Sequence, residues 1–550
     1  AADRQPAWVK YFKGLGTSTN EDAKLYFRNL DAHMITVRFD GDRCRDHVDM
    51  WFHKQRTAER KVALSGMDHD AHIDYGGDAT TMEDFCTKEL VGFGAAANER
   101  SLCHVVDGLK PSQRKALYAT LKRKGGEVKV AQLAAGTAEL TAYHHGEQAM
   151  VQTIVHMAQP WMGANNVALL APNGMFGSRH MPREEHSAPR YIFTEKQPIA
   201  RFIFPVADDA VLDMAEDDGK QIEPKLYAPV VPMLLVNGSK GIGSGWRNEC
   251  PAYAMRDLIQ NTRRLVGDQH ATLAPMQPTF LGFKGTVRAE GNDFVFTGTY
   301  DIDADGRHVH IRELPPRVWT GPYVEALREK LVGEDAKKYV LDIDDVSTTD
   351  DVHVILRVRA GVDLAARDLV DDLELSRKIT LSDLNFWDTD DKLHTYSGPE
   401  DIMRAHAAYR REMYAKRRAH TLKTLAHEVA LARSRARDVQ HRAFTQRIAS
   451  LGDSAQRTRE KTLRAHAETM QRMRLELPGV LAQLDRAHEV ALHLPSHRGG
   501  PRGSGRPRRS CPPGPSSTFP GAADRCAPWR TWWVRCCQPQ NILLNCRQRH

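Results

Sequence analysis

The sequence predicts an α+β chain of several domains, and three observations carry that prediction. Apolar residues recur at helical spacing in the first half, as in Leu117, Tyr118 and Leu121, and again in Met150, Ile154 and Met157. From about 253 to 400 the pattern turns to alternating strands, of which Val352-His353-Val354-Ile355-Leu356-Arg357-Val358 is the cleanest. From 401 to about 490 glycine and strand signals almost vanish. A chain of 550 residues is also too long for one core, so three or four units are expected.

Taken in order, Ala23 to Leu30 is amphipathic and Ile35-Thr36-Val37-Arg38-Phe39 alternates. Asp46 to Lys61 reads as one polar helix, and His69 to Thr81 reads as a linker. Pro111 opens a basic helix, because proline is preorganised for the first helical position. That helix carries Arg114 and Lys115 and runs on to Lys122, Arg123 and Lys124. Its basic side is either a solvated surface or a DNA contact, and the nearby Lys110 and Arg100 favour DNA. Lys122–Lys124 also has the look of a nuclear signal, but fits a DNA-facing helix better.

The helix with Met150 and Met157 is expected to end near Asn165-Asn166, followed by a strand from Val167 to Leu170 and turns at Pro172-Asn173-Gly174 and Gly177-Ser178. Helices followed by a strand and a basic loop fit a winged helix-turn-helix. Between 253 and 400, Gly285-Thr286-Val287, Phe294-Val295-Phe296 and Val309-His310-Ile311 read as strands of a separate α/β module. Beyond 401, Leu422, Leu425 and Val429, then Phe444, Ile448 and Leu451, place apolar side chains at helical spacing, with a break at Gly452-Asp453. This reads as long coiled-coil helices, or else as a solvated single helix. After Pro495 the chain is Arg-, Gly- and Pro-rich and then Trp- and Cys-rich, and reads as a disordered tail from an altered reading frame or a gene break. The expected boundaries are 1–85, 86–252, 253–400, 401–495 and 496–550.

Composition narrows the function classes. Lys plus Arg number 77 against 70 Asp plus Glu, a net charge of +7 that matters where it is concentrated. No apolar run approaches the roughly eighteen residues of a membrane span, and no leader peptide opens the chain, so a soluble intracellular protein is expected. Five of the nine cysteines lie from Cys511 onward, without zinc-type spacing. His144-His145 is also a poor metal pair, because neighbouring side chains point apart. No metal site is read in the chain. Ala1 stands where a start methionine would, and Trp8 to Ser18 reads as the tail of something larger.

The chemistry centres on Ala188-Pro189-Arg190-Tyr191-Ile192-Phe193-Thr194. Alone, this is an ordinary buried tyrosine beside a surface arginine. Its company changes the reading: Asn98-Glu99-Arg100-Ser101, Asp107-Gly108-Leu109-Lys110-Pro111-Ser112-Gln113-Arg114-Lys115 and Tyr143-His144-His145-Gly146-Glu147 are rich in phosphate-binding side chains. A phenol ionises near pH 10, so phenolate at pH 7 costs roughly 4 kcal/mol, which an adjacent guanidinium helps to offset. Exchange of one phosphodiester for another conserves the bond, so the break is reversible without a ligase. His145 is either a hydrogen-bond donor to a phosphate oxygen or a capping histidine. Asn237 to Trp246 lacks both the Lys-Ser/Thr of a nucleotide loop and the third glycine of GxGxxG, and its Ile242 is either a wedge between base steps or part of a tight turn.

In this order the motifs resemble type IIA DNA topoisomerases, in the single-chain form of eukaryotes and large DNA viruses. The likeness runs from Tyr11 to about Ser382 and is dense from Glu99 to Trp246, including Lys129-Val130-Ala131-Gln132-Leu133-Ala134. Gyrase A-like polypeptides are the near alternative, but they keep the toprim domain on another chain. The resemblance implies that Tyr191 is the nucleophile forming a 5′-phosphotyrosyl link. Arg190 is its catalytic neighbour and His145 hydrogen-bonds the transition state. Arg100, Lys110, Arg114, Lys115, His144 and Lys13 carry over as DNA-binding residues, and Ile242 matches the intercalating isoleucine. Lys13 to Ser18 resembles the end of a toprim domain, residues 86–252 the winged-helix breakage-reunion domain, and Phe283-Lys284-Gly285-Thr286 with Glu313-Leu314-Pro315 the tower domain.

The same resemblance implies double-stranded DNA as partner, a homodimer, a nuclear location, and Mg²⁺ and ATP as cofactors of the intact enzyme. The family's acidic toprim cluster and its ATPase domain have no match in this sequence, so the main ligands of both cofactors are not expected in this chain. A catalytically incomplete DNA-binding remnant of such an enzyme is the competing reading.

Overall fold

The computed structural model of the chain describes residues 18–449, apart from 75, 183–184 and 334–337, together with 465–468. Lys13, Gly452-Asp453, most of the expected second coiled-coil helix and the whole tail lie outside the described residues.

Thr19 starts the first helix, Asn20–Arg28, by a reciprocal cap. Its hydroxyl accepts the Asp22 N–H at 3.2 Å while the Asp22 carboxylate accepts the Thr19 N–H at 2.8 Å. Strand Thr36–Arg38 follows and pairs parallel with Ala79–Thr81, so the expected linker ends in a strand. The single helix expected over 46–61 is two, Gly41–Phe52 and Thr57–Ser65. Arginines explain the break. Arg60 donates to the Met50 carbonyl at 2.6 Å and the His53 carbonyl at 2.8 Å, and Arg56 binds Asp46 and Glu59 across the corner.

A continuous helical run from Met82 to Ser101 crosses the boundary expected at 85/86, with a π-helical turn at Phe85–Leu90. Three helices come next, Pro111–Lys122, Val130–Thr141 and Glu147–Ala158. Strand Val128–Lys129 pairs antiparallel with Phe193–Thr194 at their edge. Two local expectations are corrected here. The last helix stops at Ala158, and Val167 to Leu170 is not a strand. There the Asn237 side chain satisfies both backbone groups of Val167, at 2.8 and 2.9 Å, leaving only an isolated bridge from Leu170 to Lys196.

The principal core joins these helices to residues on both sides of the next module. Leu117, Val130, Met150, Ile154 and Ile192 share it with Leu258 and Leu265, with Phe386 of strand Asn385–Trp387, and with Ile402 and Met403 from the foot of the last long helix. The intervening module has its own core. Strands Thr299–Ile302, His308–Glu313, Val354–Val358 and Val340–Asp345 lie side by side in that order, all antiparallel. Alternation sends Val309, Ile311, Val354 and Leu356 inward against Leu327 and Leu331 of helix Thr320–Leu331. A three-stranded sheet, ordered Ser376–Ile379, Asp293–Thr297 and Thr286–Glu290, completes it.

Helix Pro399–Ala449 has 51 residues and so extends about 75 Å. Its foot is anchored: buried Arg410 pairs with Asp208 and donates to the Ala228 carbonyl at 2.6 Å, and Arg417 reaches Asp208 at 3.2 Å. From Tyr414 to Arg447 no residue is buried. Leu422, Leu425 and Val429 are at most half-buried and Phe444 is exposed, so no other described residue of this chain packs this arm into a core. Among those residues, no helix is long and apolar enough to cross a membrane.

Candidate active site

Tyr191 sits in a turn that backbone hydrogen bonds tie to the first turn of helix 130–141. The Ala131 N–H donates to the Pro189 carbonyl at 3.1 Å and the Val130 N–H to the Ile192 carbonyl at 3.0 Å. These are among the N–H groups that a helix start leaves without partners of its own. The Tyr191 N–H closes the turn on the Ala188 carbonyl at 2.9 Å. Ile192 is buried in the core, so the chain alternates and its neighbour faces out: Tyr191 is 66% exposed. The Arg190 guanidinium lies 4.8 Å from the centre of the Tyr191 ring. An exposed phenol and a planar cation thus share one rigidly held corner.

The other end of the same helix positions the histidines. Ala142 takes a left-handed conformation, φ +47°, which ends the helix and turns the chain into Tyr143-His144-His145. His145 is exposed, its ring edge-on to Tyr143 at 5.3 Å. Burial raises the Tyr143 hydroxyl above its ordinary pKa, and the positive charge of Arg100 opposes that rise, which brings Arg100 into the neighbourhood of this loop. His144 points elsewhere, to Asp217 at 3.4 Å on the hairpin of strands Met214–Asp217 and Lys220–Pro224.

The helix Pro111–Lys122 differs from its sequence reading. Lys110 caps it, its N–H donating to the Gln113 side chain at 2.9 Å, and the Lys110 ammonium reaches the Lys240 carbonyl at 3.1 Å. Arg114, expected on the DNA side, is buried: its Nε lies 2.7 Å from Asp107 Oδ2 and its Nη2 3.1 Å from Oδ1. Lys115 is also turned inward, donating to the Thr141 carbonyl at 2.6 Å and pairing with Glu223 at 2.8 Å. Both charges are therefore spent within the fold. The reason is that residues 116–121 are all buried, so the helix has core on most of its circumference. The exposed cations lie at its last residue and just beyond, at Lys122, Arg123 and Lys124.

The glycine-rich segment forms a hairpin of strands Ser239–Ile242 and Arg247–Cys250, closed by the Gly243 N–H on the Trp246 carbonyl at 2.8 Å. It lies against helix Val91–Ser101. A Cβ on Gly241 would collide with the Ser101 carbonyl, and one on Gly243 with the Asn98 side chain, whose Nδ2 donates to the Ser244 carbonyl at 3.1 Å. The glycines thus permit close backbone approach. Ile242, between them, is 73% exposed at the hairpin tip. The Lys61 ammonium stacks 4.1 Å over the Trp246 ring and fastens the far side.

Sequence reasoning missed Asp107, Glu223 and Asn98 as the groups that hold this surface in shape. Asp107 stands in the same motif as Arg114, seven residues before it. Glu223 is about a hundred residues from Lys115, so nothing local signals that pair.

Residues 100–486 match the family of the DNA gyrase and topoisomerase IV A subunits, and residues 2–98 match the C-terminal associated domain of TOPRIM. DNA topoisomerase 2 of Penicillium chrysogenum is 38% identical over 435 residues, which cover 78% of this chain and 27% of that protein. DNA topoisomerase 2 of Arabidopsis thaliana is 36% identical over 437 residues, 78% of this chain and 29% of its own length. The crystal structure of the Plasmodium falciparum topoisomerase II DNA-binding, cleavage and re-ligation domain is 36% identical, with a TM-score of 0.65, covering 76% of this chain and 57% of that one. The chain spans less than a third of the curated relatives it matches. On these likenesses the chain belongs to the gyrase/topoisomerase IV A-subunit family and matches part of a type IIA topoisomerase.

Proposed function

We propose that this chain is the breakage and rejoining portion of a DNA topoisomerase II, acting on double-stranded DNA through Tyr191. The observation that carries the reading is the exposed Tyr191 phenol, held on a backbone-tied turn with the Arg190 guanidinium beside its ring. The phenolic oxygen attacks a backbone phosphorus and the P–O3′ bond breaks. The tyrosine becomes esterified to the 5′-phosphate, and the departing 3′ oxygen takes up a proton equivalent to the one the phenol lost. Reversal restores both bonds. Arg190 stabilises charge on the phosphoryl oxygens as it accumulates, work for which one such donor is worth about 3 kcal/mol. His145, exposed on its loop, donates a hydrogen bond to a nonbridging oxygen.

Arg100 and Lys110 contact backbone phosphates in this reading, with His144 at the margin. Ile242, at its exposed tip, wedges between base steps and bends the duplex. Arg114 and Lys115 are left out of the DNA-contacting set, because buried or half-buried partners already hold them. Each chain carries one such tyrosine and cuts one strand, so a double-strand break takes two chains about a twofold axis. A nuclear site of action is carried over from the family resemblance in the sequence alone.

Mg²⁺ and ATP belong to the whole enzyme in this reading. Among the described residues, the grouping of three or more His, Cys, Asp or Glu donors is Asp303, Asp305 and His308, which lies at a turn on the outer face of the four-stranded sheet and not at Tyr191. The described residues around Tyr191 do not fit an Mg²⁺ site, and no step here runs through the ion.

The test is adduct trapping with a chain that includes the upstream segment. Denaturant quenching of a reaction on end-labelled duplex is expected to leave protein on the 5′ end, and Tyr191→Phe is expected to leave none. Persistence of the adduct in Tyr191→Phe overturns the assignment.

A further inference from the structure

The outer face of the four-stranded sheet carries a cluster that the DNA chemistry does not use. In Asp303-Ala304-Asp305-Gly306-Arg307-His308-Val309-His310, the tight turn is closed by the Gly306 N–H on the Asp303 carbonyl at 2.9 Å, with Gly306 at φ +65°. The Asp303 N–H meets the His308 carbonyl at 3.1 Å, so Asp303 and His308 face one another across the hairpin. Val309 and Ile311 point into the core, which sends His308 and His310 to the opposite, outer face. Asp303 uses one oxygen on each histidine: Oδ2 lies 3.3 Å from His308 Nδ1 and Oδ1 lies 3.1 Å from His310 Nε2. Asp305 joins them, and one donor atom from each of Asp303, Asp305 and His308 lies within 4.8 Å of the others. Behind His310, its Nδ1 faces His353 Nε2 at 3.2 Å.

We propose that Asp303, Asp305 and His308 bind one divalent transition-metal ion of the zinc type. His310 acts as a positioning residue that holds the second oxygen of Asp303, and His353 fixes the ring of His310. Three arguments support this. Ligands on a tetrahedral ion with bonds of about 2.0–2.2 Å lie about 3.3 Å apart, close to the Asp303–His308 separation. A mixed set of imidazole and carboxylate selects zinc, cobalt or nickel over magnesium or calcium, which prefer oxygen alone. A ligating group backed by histidines that fix its orientation is the usual construction of an outer shell. A three-residue set also leaves a position for water, and the ion would lock the turn that ends the outermost strand pair.

The experiment uses the whole chain, stripped with chelator and titrated with Co²⁺ while visible absorption is followed, then with Zn²⁺ by calorimetry. The native chain is expected to take up one more equivalent than His308→Ala. Asp305→Asn keeps the oxygen that accepts the Arg307 N–H at 3.0 Å, so its turn stays folded, and is expected to weaken that equivalent at least about 10-fold. His310→Ala is expected to weaken it about 10-fold. Asp301→Asn, on the strand that leads into the turn and outside the donor set, is expected to change nothing. Identical Co²⁺ and Zn²⁺ isotherms for the native chain, His308→Ala and Asp305→Asn, with circular dichroism unchanged, would overturn the site. This outcome is independent of whether Tyr191 cuts DNA.

Discussion

Arg114 grips Asp107 with two nitrogens, Nε at 2.7 Å and Nη2 at 3.1 Å, and neither residue is open to solvent. Asp107 in turn accepts the backbone N–H of Leu109 at 3.0 Å and of Tyr227 at 3.2 Å. A residue that reads as a DNA ligand in the sequence is therefore a brace for the loop that presents Lys110. Removing one partner leaves a buried charge without compensation, so Arg114→Ala is expected to destabilise the chain by about 3–5 kcal/mol. Urea denaturation checks this. A variant that is as stable as the native chain but binds DNA more weakly would return Arg114 to the DNA surface.

Arg100 and Lys115 separate the two kinds of cation. Arg100 is exposed near the histidine loop, so Arg100→Ala is expected to reduce the salt dependence of DNA binding by about 0.9 in the slope of log K against log salt. Lys115→Met is expected to leave that slope unchanged while lowering the melting temperature, because Glu223 and the Thr141 carbonyl lose their donor. Binding isotherms over a range of salt concentrations, with a thermal melt of each variant, read both.

The glycine hairpin yields a contrast between neighbours. Gly241→Ala drives a methyl group into the Ser101 carbonyl, a backbone atom that cannot rotate away, and is expected to cost about 1–3 kcal/mol. Ile242→Ala touches an exposed tip and is expected to leave thermal stability unchanged while reducing the bend in bound DNA, read by energy transfer between duplex ends. Equal bending by Ile242→Ala and the native chain would remove the wedge from the mechanism.

His406 makes the foot of the long helix sensitive to acid. Burial, reinforced by the charge of Arg410, depresses its pKa from 6.5 to about 4, although its Nε2–H donates to the Pro229 carbonyl at 2.9 Å. A depressed histidine contributes stability that is complete above its unfolded pKa and is lost as pH falls toward its folded pKa. The expected loss between pH 6.5 and pH 4 is about 3 kcal/mol. His406→Gln is expected to flatten that part of the stability curve, measured as the difference from the native chain at each pH.

Much of this architecture was legible in the sequence, because periodicity records which side of an element meets apolar neighbours. Met150, Ile154 and Met157 announced a core helix, which is where that pattern requires, and Val352 to Val358 announced a half-buried strand, which forms over Val354–Val358. Tyr191 was singled out by the company of motifs around it. Its exposure follows from local alternation with Ile192, which is buried. The long arm was less legible: Leu422, Leu425 and Val429 keep helical spacing, yet none of them is buried.

Charge was the quantity that pattern could not assign. Arg114, Lys115 and Arg410 are indistinguishable in composition from cations that meet a phosphate. Which of them is neutralised internally depends on Asp107, Glu223 and Asp208, the last two of them far off in the chain. The glycines around Ile242 are of the same kind, since their purpose rests on Asn98 and Ser101, about 140 residues earlier. Local sequence sets backbone preference and burial face, both short-range properties. The partner of a buried charge and the neighbour of a bare backbone come into existence only when distant segments are packed together.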